Sequence, residues 1–299
     1  MARIAVIGPG AVGSVFAALV SEQKDHDLVV CARSVPPDKI VVESESGTRV
    51  CIPDAILADP AEVGEPVDWV FLAIKAHDTA GAARWLAGLC DERTTVVVLQ
   101  NGIGHQARVA PHAPTSVVLP AIVWCPSEVV GDGRVSLRGP VRVGVPDSPA
   151  GSDLIDLLDP TEARVELVAD FTTHAWRKIC ANVVAGLMVL TERRAEVFSL
   201  AGMRALAHQL ACESASVGKA EGARLDVRAV ADAIIAELVS MPSDMGTSML
   251  FDRLAGRPTE WREIHGVVQE LGKSHGISTP ALDVIVPLLQ ATSGRQEQG

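Results

Sequence analysis

Arg3-Ile4-Ala5-Val6-Ile7-Gly8-Pro9-Gly10-Ala11-Val12-Gly13 is the stretch from which the fold of this chain is read. A short apolar run fit for a buried strand enters a G-x-G-x-x-G turn, and an apolar stretch from Ser14 to Val20 follows. Strand, glycine turn and helix, in that order, are the context that gives the motif meaning. Gly8 suits the tight turn, Gly10 lets backbone approach a pyrophosphate, and Gly13 lets the helix pack close to the strand. The helix start offers N–H groups and a positive dipole end to phosphates. Gly8, Pro9, Gly10, Ala11, Val12 and Gly13 are therefore the candidate dinucleotide contacts, and a Rossmann-like fold without ligand is the competing reading.

The next apolar run, Leu28-Val29-Val30-Cys31-Ala32, ends at Arg33-Ser34. An acid near this point holds the ribose 2′-OH of NAD in Rossmann enzymes. Here an arginine stands at the strand end, and its planar, permanently charged fork suits a 2′-phosphate. The spacing predicts NADPH rather than NADH, with Ser34 a possible further donor. A solvated arginine is the alternative.

The wider composition fits a soluble enzyme of one large or two moderate domains. Of 299 residues, 48 % are hydrophobic, enough for a sizeable core. No apolar run approaches the length of a membrane span, and no signal-peptide pattern opens the chain, so a cytoplasmic location is expected. Lys and Arg number 26 against 37 Asp and Glu, a net charge of −11 that argues against a nucleic-acid surface. An anionic ligand must then be held by local cations, for which Arg33, Lys75 and Lys178 are candidates. The cysteines (Cys31, Cys51, Cys90, Cys125, Cys180 and Cys212) show no metal-ligand spacing and are expected to be reduced; Cys31, Cys125 and Cys180 lie in apolar stretches. No metal is expected.

Up to about residue 168 the pattern alternates. Strand-like runs at Ile4–Ile7, Leu28–Cys31, Trp69–Ile74, Thr95–Leu99 and Val117–Val123 are separated by helix-like or turn-rich segments, which predicts a mostly parallel sheet with crossover helices. Short Val-rich pieces around Gly131-Asp132-Gly133 and Gly139-Pro140 predict antiparallel hairpins closing that sheet. Beyond Asp170 the strand signals stop, and Thr172–Phe198, Arg204–Glu221, Val227–Ser240 and Thr259–His275 carry helical periodicity. The expected organisation is an α/β Rossmann domain over 1–168 and an all-α domain over 169–299, with a frayed tail from Ser293.

Four further sites stand out. Lys75 ends an apolar strand, where the carboxyl ends of a parallel sheet face the ligand. Asn101, in Gln100-Asn101-Gly102, ends another; Asn-Gly is equally a routine turn, and both readings stand. In Trp176-Arg177-Lys178-Ile179-Cys180-Ala181-Asn182, Lys178 and Asn182 share a helix face amid apolar neighbours, which suggests a polar pocket. Ser248 opens an apolar stretch, and Glu260 falls in a helical first turn after a plausible N-cap, Thr259; capping is the competing reading for that pair.

These motifs, with Trp176-Arg177-Lys178, Asn182, Ser248-Met249-Leu250, Asp252 and Thr259-Glu260, occur in an order that resembles the ketopantoate reductase family over nearly the whole chain. The resemblance implies a Rossmann domain joined to a helical domain of the 6-phosphogluconate dehydrogenase type. It implies NADPH-dependent reduction of 2-dehydropantoate to (R)-pantoate in pantothenate and coenzyme A synthesis. By the same resemblance Lys178 is the general acid and Asn182 a substrate ligand. Glu260 and Ser248 bind the substrate's hydroxyl and carboxylate ends, with Glu260 also counted as catalytic and as a cofactor contact. Lys75 and Asn101 bridge cofactor and substrate, and Arg33 holds the 2′-phosphate. A homodimer is compatible with the helical domain.

The chain departs from the family pattern at three places. Gly186 and Met245 stand where asparagines are common, as does His265. These departures suggest retained chemistry with an altered substrate. The alternatives are a reductase of the same fold acting on another 2-oxo or 3-hydroxy acid, or a non-catalytic NADPH-binding sensor.

Overall fold

The computed structural model describes residues 1–23, 25–33, 38–131 and 133–293. Ser34, Asp132 and the tail beyond Ser293 lie outside the described residues. The chain divides into two compact units, Met1–Phe171 and Thr172–Gly299.

The first unit runs β1 (Arg3–Ile7), α1 (Ala11–Ser21), β2 (Asp27–Cys31), β3 (Ile40–Ser44), β4 (Gly47–Cys51), β5 (Ala55–Leu57), β6 (Trp69–Leu72), α2 (Ala83–Leu89), β7 (Thr95–Val98), α3 (His105–Val109) and β8 (Val117–Pro120). It continues through β9 (Ile122–Trp124), β10 (Ser127–Gly131), β11 (Arg134–Leu137), β12 (Arg142–Pro146), α4 (Pro149–Leu158) and β13 (Arg164–Val168). Its main sheet is fully parallel, in the order β5-β2-β1-β6-β7-β8. Along β1, Ile4 and Val6 enter one core cluster while Ala5 and Ile7 enter another. That two-residue alternation with both faces apolar is what a parallel sheet covered on both sides requires.

On one side the cover is α1, whose residues from Gly13 to Val20 are all buried. Phe16 meets Phe71 of β6, ring centroids 5.4 Å apart. The far side of α1 packs against a second sheet, of order β10-β11-β3-β4, through Ile40, Val42, Val135 and Leu137. A helix apolar all round is a helix enclosed all round. On the other face of the main sheet, Trp85, Leu86 and Leu89 of α2 close the core.

Val117–Val123 is not one strand: the chain leaves the main sheet after Pro120, and β9 pairs antiparallel with β12 in a separate three-stranded sheet. Nor do the Val-rich hairpins close the main sheet. β10 and β11 form an antiparallel pair whose other edge joins β3, next to the β3–β4 hairpin that the periodicity did not single out.

The second unit is helical: α5 (Phe171–Thr191, its first residue closing the first unit), α6 (Ala201–Ala220), α7 (Val227–Ser240), α8 (Ser248–Leu254), α9 (Val267–Ser274) and α10 (Pro280–Thr292). A π-helical turn, Arg262–Gly266, runs directly into α9. α10 has no capping side chain of its own. Its first N–H groups, of Ala281 and Leu282, donate to the buried carboxylate of Glu213 on α6 at 2.9 and 3.0 Å. A negative charge there satisfies two orphan donors and complements the dipole. Thr259 does not cap the helix after it; its N–H and hydroxyl meet Ser293 Oγ at 3.1 and 3.4 Å. The carbonyl of Glu260 accepts the first helical bond instead, from Ile264 N–H at 3.1 Å.

All six cysteines are free, with Cys31, Cys51 and Cys180 buried and Cys90, Cys125 and Cys212 partly exposed. Cys125, though its sequence neighbours are apolar, lies at the margin of the core, and Cys51 lies within it. No helix among the described residues is long and apolar enough to cross a membrane.

Candidate active site

In the first unit, register collects the candidate residues. Ile7 of β1 pairs with Cys31 of β2 and Leu72 of β6, and Leu72 pairs with Val98 of β7. The glycine turn, Arg33, Lys75 and Asn101 therefore all follow strand ends on one carboxyl edge, the ligand side of an open parallel sheet.

The glycines divide by role. A Cβ on Gly8, whose φ is +92°, would press on Ile74. A Cβ on Gly13 would collide with the carbonyl oxygen of Gly8, so α1 approaches β1 only without it. Gly10 differs: its φ of −76° is open to any residue, and an added Cβ would meet no atom of the chain within 4 Å. Nothing inside the protein requires glycine there, so the space beside Gly10 fits a ligand's approach to the exposed start of α1.

Lys75 precedes a 3₁₀ turn, Ala76–Ala82. That turn is fastened to the end of β7 by Thr79, whose hydroxyl donates to the Ala76 carbonyl at 2.7 Å and accepts from Gln100 Nε2 at 2.9 Å. Arg108 Nε donates to Gln100 Oε1 at 3.3 Å. Thr79, Gln100 and Arg108 thus fix the segments that carry Lys75 and Asn101, a network with no short-range sequence signal. Gly102 follows Asn101 at a φ of +97°, so the turn reading of Asn-Gly is correct as local geometry and leaves Asn101 at the sheet edge.

Arg33 is 85 % exposed in its side chain and donates Nη2 to Asp78 Oδ2 at 3.1 Å. The strand end that carries no acid in sequence thus receives one through space, from the turn after Lys75.

In the second unit Lys178 and Asn182 lie half-buried on α5, one turn apart. One turn further is Gly186. A Cβ there would collide with His265 Nε2 and stand 2.9 Å from its Cε1. His265 is wholly buried in the π-helical turn, and its Nε2–H donates to the Val183 carbonyl at 3.0 Å. Nδ1, left unprotonated, is buried and has no hydrogen-bond partner among the described residues. Burial drives the imidazole down to about 4, so it is neutral at physiological pH. The departures at 186 and 265 are therefore one feature: the ring fits because the helix carries no side chain beneath it. π-turns of this kind concentrate at functional sites.

Ser248 is the exposed first residue of α8, capped not by Ser248 but by Thr247, which accepts from Leu250 N–H at 3.4 Å. Glu260 is buried at the start of the next helix. Asp252, also buried, pairs with Arg257 at 2.9 Å.

Residues 4–149 match the family model described as ketopantoate reductase PanE/ApbA, and residues 170–293 match its C-terminal counterpart. A Mycobacterium tuberculosis protein named 2-dehydropantoate 2-reductase is 43 % identical over 97 % of both chains. The chain belongs to the ketopantoate reductase family. A Caulobacter vibrioides relative of the same name is 34 % identical over 98 % of this chain and 100 % of its own. Among solved structures, a dimeric ketopantoate reductase from Staphylococcus aureus superposes with a TM-score of 0.85 at 25 % identity, covering 97 % of this chain and 98 % of that one. A D-mandelate dehydrogenase with NADH and anilino(oxo)acetate reaches 0.87 at 22 % identity over 97 % of both, and shares the fold. The Rossmann-like parallel sheet followed by a helical unit is the architecture of these ketopantoate reductases. Among the described residues no group of three or more His, Cys, Asp and Glu is placed to hold a metal ion.

Proposed function

We propose that this protein reduces the C2 ketone of 2-dehydropantoate to (R)-pantoate with NADPH, and that the reaction serves pantothenate synthesis. The observation that carries this reading is the 43 % identity with a 2-dehydropantoate 2-reductase across 97 % of both chains. When bound, NADPH supplies the hydride. The chain supplies binding and charge. The open space at Gly10 admits the pyrophosphate to the N–H groups of α1, and Gly8, Pro9, Ala11, Val12 and Gly13 shape that turn. Arg33 holds the 2′-phosphate, and Lys75 and Asn101, fixed through Thr79 and Gln100, reach cofactor and substrate.

As the carbonyl carbon is reduced, negative charge grows on its oxygen. Lys178 stabilises that charge and donates the proton that completes the hydroxyl. Asn182, one turn along the same face, orients the substrate. Ser248 and Glu260 take its polar ends, and Glu260 also contacts the cofactor. The substituted positions 186 and 265 fill each other's space, which accounts for them without a change of reaction class.

The test is NADPH oxidation by the purified protein with 2-dehydropantoate beside a panel of other 2-oxo acids. Lys178→Ala is expected to lower kcat by about 10²–10⁴-fold while leaving NADPH binding intact. Near-normal turnover in that variant overturns the role of Lys178, and preference for another oxo acid overturns the substrate.

A homodimer belongs to the same reading. Val284 and Leu288, one turn apart on α10, are 62 % and 50 % exposed, and the Staphylococcus aureus relative is described as dimeric. Light scattering on the eluting protein decides it. A cytoplasmic location, where reduced pyridine nucleotides are found, completes the proposal.

A further inference from the structure

The candidate cofactor edge carries a carboxylate beside its cations. Arg33, the residue suited to a 2′-phosphate, is ion-paired with Asp78 at 3.1 Å. Asp78 stands in the turn that begins after Lys75, its N–H bonded to the Lys75 carbonyl at 2.9 Å. The two side chains are 85 % and 33 % exposed. An exposed pair of this kind is held weakly and exchanges partners readily.

Two ligands would meet this pair differently. A 2′-phosphate carries close to two negative charges and competes with Asp78 for the guanidinium fork, and it then sits within a few ångströms of the carboxylate it has displaced. A free ribose 2′-OH brings no charge. It can donate to the carboxylate, which is the contact that an acid at the end of the second strand makes in NAD-dependent Rossmann enzymes. The acid here arrives from a different loop but reaches the same arginine.

We infer that Asp78 sets coenzyme choice, and that the protein uses NADH as a second coenzyme beside NADPH. Arg33 serves the phosphate and Asp78 serves the ribose hydroxyl, so neither coenzyme is strongly excluded. The inference rests on the proposed reductase reading, because it takes the carboxyl edge of the main sheet as the cofactor site.

The experiment is direct titration of the full-length protein with NADPH and with NADH, followed by nicotinamide fluorescence without substrate. The wild-type dissociation constants are expected within about tenfold of each other. Asp78→Asn is expected to tighten NADPH by about tenfold, the scale of one like charge removed at this range in a surface dielectric. The same variant is expected to weaken NADH, so that the ratio of the two constants moves by more than tenfold. Arg33→Ala moves the ratio the other way. Asp78→Ser repeats the measurement should the asparagine disturb the turn, and thermal midpoints report whether each variant is folded. A wild-type preference for NADPH above tenfold, or a ratio unchanged in both Asp78 variants, overturns the inference while leaving the reductase reading in place. Failure of both coenzymes to bind overturns the reading as well.

Discussion

His265 is a titratable ring wholly buried in the fold, and that has a measurable cost. Its value falls from 6.5 to about 4 on folding, chiefly because burial disfavours the imidazolium. Above pH 6.5 the ring is neutral in both folded and unfolded chains, and its packing contributes in full. Between 6.5 and 4 the unfolded chain takes up a proton that the folded one refuses, so stability falls as the pH falls. The whole shift corresponds to roughly 3 kcal/mol. Urea unfolding at pH 7 and at pH 4.5 is expected to show a smaller loss for His265→Asn than for the native protein, whatever the packing cost of the substitution at both pH values. Equal losses would refute a buried neutral histidine. Gly186 and His265 were each legible as oddities, but their contact was not. Val183 and His265 are 82 residues apart in the chain, and only the assembled helices bring the ring over Gly186.

At the scale of elements, β1, the glycine turn and α1 were readable because their determinants are local: alternation, turn and apolar helix lie within twenty residues. Gly10 and Gly13 share this element yet serve opposite ends. Gly13→Ala is expected to disturb α1 against β1, because the new methyl meets a backbone carbonyl that has no room to move. Gly10→Ala is expected to fold with a thermal midpoint close to native and to lose NADPH affinity by tenfold or more. A melting curve and a fluorescence titration on each variant check the pair, and a Gly10→Ala protein with native affinity would remove Gly10 from the cofactor site. Elements set by partners further away were less legible. Nothing in Val117–Val123 shows that its halves pair with different sheets. α10, with Pro287 inside it, looks like a poor helix, and nothing near it in the sequence shows that Glu213 of α6 holds its first N–H groups.

At the scale of the molecule, the net charge of −11 sets the protein against both of its proposed ligands, since NADPH and a 2-oxo acid are anions. The opposing terms have different ranges. Repulsion from the whole surface acts over the Debye length, which shrinks from about 30 Å at 0.01 M salt to about 10 Å at 0.1 M. The attraction of Arg33 and Lys75 acts within a few ångströms and survives that change better. Modest salt should therefore remove more repulsion than attraction. The association rate of NADPH, followed by stopped-flow fluorescence, is expected to rise as salt increases from 0.01 to about 0.1 M, and to fall only at higher salt as the local contacts are screened in turn. A rate that falls from the lowest salt onward would mean that the cations at the strand ends dominate the approach as well as the bound state, with the distant carboxylates too far from the entry path to matter.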